Sequence, residues 1–120
     1  MNNLEGLWEG QSFFCNKVTK KFNDKNNSDL SYQEQIDMSK DYILSLIGEC
    51  KEVLDTFKWK KHRSQEVKFE KDRLIEELID CQKFLWNLFF IWGITLDEFI
   101  DGFEKKSRIV DQRWRDEQSC

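Results

Sequence analysis

Two pairs of acidic residues, each pair three positions apart, are the part of this sequence best suited to chemistry. Glu49 and Glu52 form the first pair, Glu77 and Asp80 form the second, and both stand among apolar neighbours. Residues three apart on a helix share a face, so two packed helices would bring all four carboxylates together in the protein core. At roughly 5 Å and an effective dielectric constant near 20, each like-charged pair costs about 3 kcal/mol. Such a cluster needs protons, basic side chains or divalent cations to neutralise it.

Oxygen-only ligands of this kind are typical of a hard cation. The acids therefore favour Mg²⁺, with Mn²⁺ as a substitute, and disfavour zinc because no set of histidines or cysteines accompanies them. The alternative is that the acids lie on solvated helix faces and pair with Lys51, Arg73 or Lys83. Spacing alone leaves both interpretations open.

Composition favours an all-α fold in a single domain over residues 1–120. The chain has 120 residues, no proline and five glycines, so it lacks the turn residues of a sandwich or barrel. A net charge of −4, spread along the chain, predicts no nucleic-acid or membrane partner. The longest apolar run, from Phe84 to Ile94, is too short to span a bilayer. Without a secretion signal or a C-x-x-C pair, we expect reduced thiols and a cytoplasmic protein.

Hydrophobic periodicity and polar breaks predict the first two helices. The first is expected from about Leu4 to Phe22 and is followed by a polar stretch. Ser31 and Glu34 form a capping box that begins the second helix, whose apolar stripe continues to about Phe57. Residues 58–65 show no apolar periodicity and are expected to form a loop.

The third and fourth helices follow from the same signals. In antiparallel helices, the two acidic pairs are better levelled if the loop extends toward Lys71, with Asp72 as a possible cap of the third helix. Gly93 is a stop signal, and Thr95 and Glu98 form a second capping box that begins the fourth helix. Together these elements predict a bundle-like domain of four to five helices.

The third helix is also expected to be apolar around most of its circumference. An aromatic run that includes Trp86 and Trp92 follows Asp80, and the chain holds ten phenylalanines and five tryptophans in all. One chain of this length has few helices to cover such a surface. We therefore expect a homodimer or a dimer of dimers, with the helix around Trp86 and Trp92 at the interface.

The two acidic segments, "GECKEVLDTFKWKK" and "LIEELIDCQKFL", resemble the all-helical nucleotide pyrophosphatases that include the MazG-like proteins and the dimeric dUTPases. The signature of that group is E-x-x-E, a gap of this order, and then E-x-x-D. The similarity is closest to the dimeric dUTPases. The segment "EFIDGFEKKSRIVDQRW" resembles their final helix, in which Lys105, Lys106 and Arg113 match. Ser107 and Val110 stand where that family has asparagines.

The resemblance implies a magnesium-dependent pyrophosphohydrolase that converts dUTP or a related nucleoside triphosphate to the monophosphate and pyrophosphate. It implies that Glu49 orients or deprotonates the attacking water, and that Glu52, Glu77 and Asp80 act mainly as metal ligands beside Glu49. It also assigns Gln11, on the first helix, to recognition of a base edge. A surface position is the alternative for Gln11.

A triphosphate also needs contacts beyond the metal. Candidate cations for the phosphates are Lys58 and Lys60, just past the first acidic pair, and Lys106 and Arg113 on the last helix. Trp59 could stack on the base, because an indole gives contact area and orientation together. The alternatives are a solvated turn for the lysines and ordinary packing for Trp59.

Two further interpretations of the whole chain stay open. One is a housekeeping pyrophosphatase of the same chemistry that acts on dCTP or on non-standard nucleotides. The other is a non-catalytic helical interaction protein, in which the acids are surface pairs and the aromatic stripe binds a partner.

Overall fold

Helices and the short turns between them make up the residues that the computed structural model describes, which are 2–57, 59–60 and 67–119. This described part contains no strand, and the all-α prediction is confirmed. None of its helices combines the length and apolar character needed to cross a membrane. The elements in chain order are α1 (Asn3–Asn23), a 3₁₀ turn (Asn27–Asp29), α2 (Tyr32–Leu54), α3 (Lys71–Ile91) and α4 (Leu96–Gln118).

Both capping boxes form where the sequence predicts them. Ser31 accepts a hydrogen bond from the backbone of Glu34 at the start of α2, and Thr95 does the same for Glu98 at the start of α4. In each case the glutamate reaches back to the backbone N–H of the capping residue, so two orphan donors are satisfied.

The helix ends also follow from local chemistry, with one correction. Gly93 ends α3 at a φ of 66°, in the left-handed region that glycine adopts without strain. The N–H of Ile94 donates to the carbonyl of Phe89 at 2.9 Å, which completes the glycine cap. The start of α3 at Lys71 is confirmed, but Asp72 does not cap it. Asp72 already lies inside the first turn, so its side chain is past the capping position.

Helices α2 and α3 pack antiparallel and form the most extensive interface of the described chain. At one end Gln35 Nε2 donates to the Ile91 carbonyl at 3.0 Å, and Trp92 Nε1 donates to Ser39 Oγ at 2.7 Å. At the other end the rings of Phe57 and Phe69 stack with centroids 6.0 Å apart. These contacts fix the register at which the two acidic pairs face each other.

A small core joins α1 to this pair of helices. Its buried apolar members are Trp8, Cys15, Tyr42, Phe90 and Ile91. The indole of Trp8 packs at 5.3 Å from Trp86, at 4.8 Å from Phe90 and at 5.3 Å from Phe99. The chain's own α1 therefore covers part of the aromatic run, including Trp86. Trp92 stays 39% exposed, and the expected dimer face around Trp86 and Trp92 stays a prediction.

Helix α4 is set apart from the other three. Phe99, near its start, contacts Trp8 and Phe89, but every described residue from Asp101 to Ser119 is exposed. The radius of gyration is 18.1 Å, whereas a compact chain of this length has a value of about 14 Å. The predicted four- to five-helix bundle is thus present as three packed helices with α4 outside them. The single domain over residues 1–120 stays a prediction.

Candidate metal centre

Three of the four predicted acids meet across the α2–α3 interface. One carboxylate oxygen from each of Glu49, Glu77 and Asp80 lies within 4.8 Å of the other two. Glu49 stands near the end of α2, and Glu77 and Asp80 stand one turn apart in the first half of α3. The i,i+3 spacing puts Glu77 and Asp80 on one side of α3, and the antiparallel register brings Glu49 opposite them.

Glu49 is the acid of this cluster whose ionisation is perturbed. Partial burial raises the pKa of Glu49 above its ordinary value, and the neighbouring charges of Asp80, Glu77 and Glu52 raise it further. A hydrogen bond with Glu77 acts in the same direction, because it favours the protonated carboxyl group. The surroundings of Glu49 therefore oppose its negative charge.

The alternative in which the acids pair with nearby basic residues does not occur within the described residues. Lys51 pairs with Asp55 at 3.3 Å along α2, and no described basic side chain forms an ion pair with Glu49, Glu77 or Asp80. The compensation that a solvated acidic face would normally have is missing there. This leaves protons or cations as the means of neutralisation.

The acids are less buried than the sequence suggests. Glu49 and Glu77 are half-buried, whereas Glu52 and Asp80 are exposed, so the expected position inside the core is wrong. The cluster lies at the open edge of the α2–α3 pair, because α1 packs against the aromatic half of α3 and no described helix covers the acidic half. The charge of Glu52 helps to raise the pKa of Glu49, but the oxygens of Glu52 are outside the group of three.

The donor set fits a hard divalent cation. Three carboxylates from two helices give a partial oxygen shell and leave positions for water and phosphate, as Mg²⁺ and Mn²⁺ sites usually do. Cys50 and Cys81 follow two of the acids in sequence and share a hydrogen bond. Burial, followed by the contact with Cys50, raises the pKa of Cys81 to about 11. It is a neutral thiol at pH 7 and a poor ligand for zinc.

Two of the predicted substrate contacts beyond the acids lie just past α2. Lys60 Nζ stands 4.9 Å from the centroid of the Trp59 ring, and a hydrogen bond from Trp59 helps to lower the pKa of Asp55, after the larger effect of Lys51. Trp59 is 44% exposed, so part of its ring is available to a ligand. Lys58 lies outside the described residues.

The remaining predicted cations are not brought to the acids within one chain. Lys106 and Arg113 lie on the exposed part of α4, and that part makes no extensive contact with α2 or α3. Lys106 lines a groove of about 400 Å³ on α4 together with Phe103, Ser107, Val110, Asp111 and Trp114. Ser107 and Val110, the departures from the family pattern, are thus part of the same exposed surface.

Gln11 has a partner that the sequence did not reveal. Its Nε2 donates to Asn87 Oδ1 at 3.1 Å, joining α1 to α3. Asn87 is only 6% exposed and stands inside the aromatic run, seven residues after Asp80. A single amide in an otherwise apolar stretch, in helical phase with the acids, was the signal that could have identified it.

A groove of about 670 Å³ lies far along α3 from the acids. It is lined by residues of α1, the 3₁₀ turn and the end of α3, among them Asn16, Asn27 and Trp92. The side chain of Asn16 bonds to Asn26 and to the backbone of Asn27, and the side chain of Asn27 accepts a hydrogen bond from Thr19. These bonds between α1 and the 3₁₀ turn give the groove a structural explanation.

A comparison with protein-family models, curated proteins and solved structures finds no match to this chain.

Proposed function

We propose that this protein is a magnesium-dependent nucleoside triphosphate pyrophosphohydrolase that acts on dUTP or a related deoxynucleoside triphosphate. The products are the nucleoside monophosphate and pyrophosphate, formed by attack of one water molecule on the α-phosphorus. The observation that supports this proposal is the meeting of the carboxylates of Glu49, Glu77 and Asp80, from two helices, with no basic side chain to neutralise them among the described residues. The residues fit the role that their resemblance to the dimeric dUTPases implies.

We assign different roles to the acids because their surroundings differ. A bound Mg²⁺, or Mn²⁺, supplies positive charge to the triphosphate and lowers the pKa of water. Glu77 and Asp80 would hold the cation, and Glu52 stays a predicted ligand beside them. Glu49 has the raised pKa and is the residue best suited to take a proton from water, because a base is most effective when its pKa lies nearer the working pH.

Trp59 and the lysines beside it would receive the nucleotide. The exposed part of the Trp59 ring offers a surface for the base, and Lys60 already lies against the same ring. Lys60 follows the end of α2 by six residues and is the described lysine proposed to contact the phosphates at the acidic edge of the α2–α3 pair. Lys58 stays a predicted phosphate contact. No covalent intermediate is required, and no serine or cysteine nucleophile takes part.

We further propose that the working form is a homodimer or a dimer of dimers. The exposed stripe of Phe103, Val110 and Trp114 on α4 has no cover among the described residues, and the chain is extended beyond the size of a compact monomer. Lys106 and Arg113 flank this stripe on one side of the helix. A second copy packed on the stripe would bring these cations towards a phosphate that the acids hold. A cytoplasmic location agrees with the free thiols.

The exposed apolar surface also favours one competing function, a helical interaction protein without catalysis. The deciding experiment is pyrophosphate release from a panel of dUTP, dCTP, dTTP and UTP, with Mg²⁺ and with a chelator. We expect Mg²⁺-dependent release with a preference for one deoxynucleotide. A preference for dCTP or for a non-standard nucleotide would identify the housekeeping enzyme. Absence of release from every nucleotide, in protein shown to be folded, would overturn the enzymatic proposal.

A further inference from the structure

We infer that Cys50 and Cys81 form a reversible disulfide between α2 and α3, and that this disulfide holds the neighbouring acids in position for a divalent cation. Formation of the bond depends on the cysteine pair alone, whereas its effect on turnover rests on the proposed function. The starting observation is the hydrogen bond that the two thiols share across the helix interface.

The register of the two helices places the thiols side by side. Cys50 follows Glu49 on α2 and Cys81 follows Asp80 on α3. One carboxylate oxygen of each of these two acids lies within 4.8 Å of the other. Because the helices are antiparallel, one step along each chain turns both side chains towards the same side of the helix pair. The two cysteines therefore meet beside the acids, in agreement with the hydrogen bond between them.

This cysteine pair is accessible to a small oxidant, unlike the third described cysteine. Cys50 is exposed and Cys81 is half-buried, whereas Cys15 is fully buried against the hydroxyl of Tyr42. All three described thiols are free. An oxidant reaches Cys50 first, and Cys81 stands next to it as the thiol that completes the bond.

The oxidant that we assign is a low-molecular-weight disulfide, for which oxidised glutathione is the probe. The Cys50 sulfur attacks one sulfur of glutathione disulfide, and one glutathione leaves with the proton of the Cys50 thiol. The Cys81 sulfur then attacks the Cys50 sulfur, and the second glutathione leaves with the proton of Cys81. Two protein thiols are oxidised, and one glutathione disulfide is reduced to two thiols. In a reducing compartment a disulfide of this kind is transient and responds to the redox state.

The disulfide and the metal centre are linked through the distance between α2 and α3. A disulfide brings the sulfurs to about 2.0 Å and the Cβ atoms to about 3.5–4.5 Å, so the two helices must approach each other slightly beside the acids. Repulsion among Glu49, Glu77 and Asp80 opposes that approach, and a bound Mg²⁺ would favour it. Cation and disulfide stabilise the same closed arrangement, so each should strengthen the other.

The competing explanation is that the two cysteines only fill space beside the acids. Packing alone would leave both thiols unpaired in an oxidising buffer, or would join Cys50 to glutathione without involving Cys81. The identity of the bond that forms therefore separates the two explanations.

The first test equilibrates the full chain in buffers of different ratios of reduced to oxidised glutathione. Trypsin cuts after Lys51 and after Arg73, so the two cysteines fall in separate peptides and mass spectrometry identifies their linkage. We expect the linked peptides in the parent protein and not in Cys50→Ser or Cys81→Ser. The buried Cys15 is the internal reference and should stay a free thiol. If Cys50 in the parent protein pairs only with glutathione or with another cysteine, the inference fails.

The second test repeats this equilibration with Mg²⁺ and with a chelator. We expect Mg²⁺ to raise the equilibrium constant for the disulfide by about fivefold or more. Glu77→Gln should lose most of this effect because it lacks one ligand charge, whereas Glu76→Gln, at the exposed neighbouring position, should keep it. An equal or lower constant with Mg²⁺ in the parent protein would overturn the link to the metal centre.

Turnover separates this inference from the proposed function. The Mg²⁺ concentration for half-maximal pyrophosphate release should fall about fivefold when the parent protein is oxidised, and oxidant should not change it in Cys50→Ser. If no protein releases pyrophosphate but Mg²⁺ still favours the disulfide, the linked cysteine pair stands and the enzymatic proposal fails. If pyrophosphate is released but oxidation leaves the Mg²⁺ requirement of the parent protein unchanged, the inference fails and the enzymatic proposal stands.

Discussion

At the scale of single residues, the site is defined by negative charge that the chain leaves uncompensated. Glu49, Glu77 and Asp80 oppose one another in the metal-free protein, and no described basic side chain relieves them. Because this repulsion lowers stability, the arrangement of the three acids is better explained by the binding of a ligand than by packing.

Amide substitutions should separate activity from stability. In Glu49→Gln, Glu77→Gln and Asp80→Asn we expect turnover to fall by about 10² to 10⁴, because the shape is kept while charge for the metal or for proton transfer is lost. The melting temperature should stay the same or rise, because repulsion is removed. Glu76→Gln, at the exposed neighbour of Glu77, is the control and should keep full activity. Near-normal turnover in any two of the three variants would contradict the metal centre.

Glu49 should also make the stability of the metal-free protein depend on pH. Its pKa is raised above the ordinary 4.5, so over that interval the folded state binds more protons than the unfolded state. The contribution of Glu49 to the free energy of unfolding is therefore most favourable below about pH 4.5 and falls as the pH rises through the folded pKa.

Urea unfolding of the parent protein and of Glu49→Gln, in a chelator between pH 4 and 8, measures this contribution. The difference between the two proteins should grow in favour of Glu49→Gln as the pH rises. Addition of Mg²⁺ at neutral pH should stabilise the parent protein and have a smaller effect on the variant. If the free energies of unfolding of the two proteins differ by the same amount at every pH, the pKa of Glu49 is not shifted by folding.

At the scale of elements, the two capping boxes should differ in what they stabilise. Ser31→Ala removes the cap of α2, which packs on α3, so we expect a loss of about 1 kcal/mol in the free energy of unfolding. Thr95→Ala removes an equivalent cap from α4, whose described residues from Asp101 onwards are exposed. Its main effect should be a loss of helical circular dichroism at low protein concentration. Equal effects of both substitutions on global unfolding would show that α4 is integrated into the fold.

The helices could be predicted well because their signals are local. The capping boxes at Ser31 and Thr95 and the glycine stop at Gly93 depend on hydrogen bonds within a few residues, and all three are confirmed. The start of α3 near Lys71 was predicted from a constraint between two helices: the two acidic pairs must lie at similar distances from the turn to face each other. It was also confirmed, although the capping role of Asp72 was not.

The rest depends on packing that periodicity cannot supply. The separation of α4 from the other helices is invisible in its sequence, since an amphipathic stripe looks the same whether its own chain or a second copy covers it. The depth of the acids was overestimated for a related reason, because apolar neighbours such as Leu78 and Ile79 are themselves exposed. The bond between Gln11 and Asn87 joins residues 76 positions apart and needed the structure.

At the scale of the whole molecule, α4 predicts self-association. We expect the protein to sediment as a dimer or larger at micromolar concentration. Val110→Glu should raise the dissociation constant by about tenfold or more, because an unpaired carboxylate would be buried at the interface. Gln112→Glu places the same residue on the opposite face of α4 and should leave association unchanged. A folded monomer at these concentrations, or equal weakening by both variants, would count against an α4 interface.

The antiparallel pairing of α2 and α3 has a consequence for the order of folding. All the proposed metal ligands come from one uninterrupted stretch of chain, so the site forms when this helical hairpin closes and does not wait for α1 or α4. Contacts this close in sequence form early and fast. The repulsion among Glu49, Glu77 and Asp80 is then met at the first docking step, where it would slow refolding at neutral pH. A divalent cation present during refolding should therefore raise the refolding rate, because it neutralises the acidic surfaces of α2 and α3 before they dock.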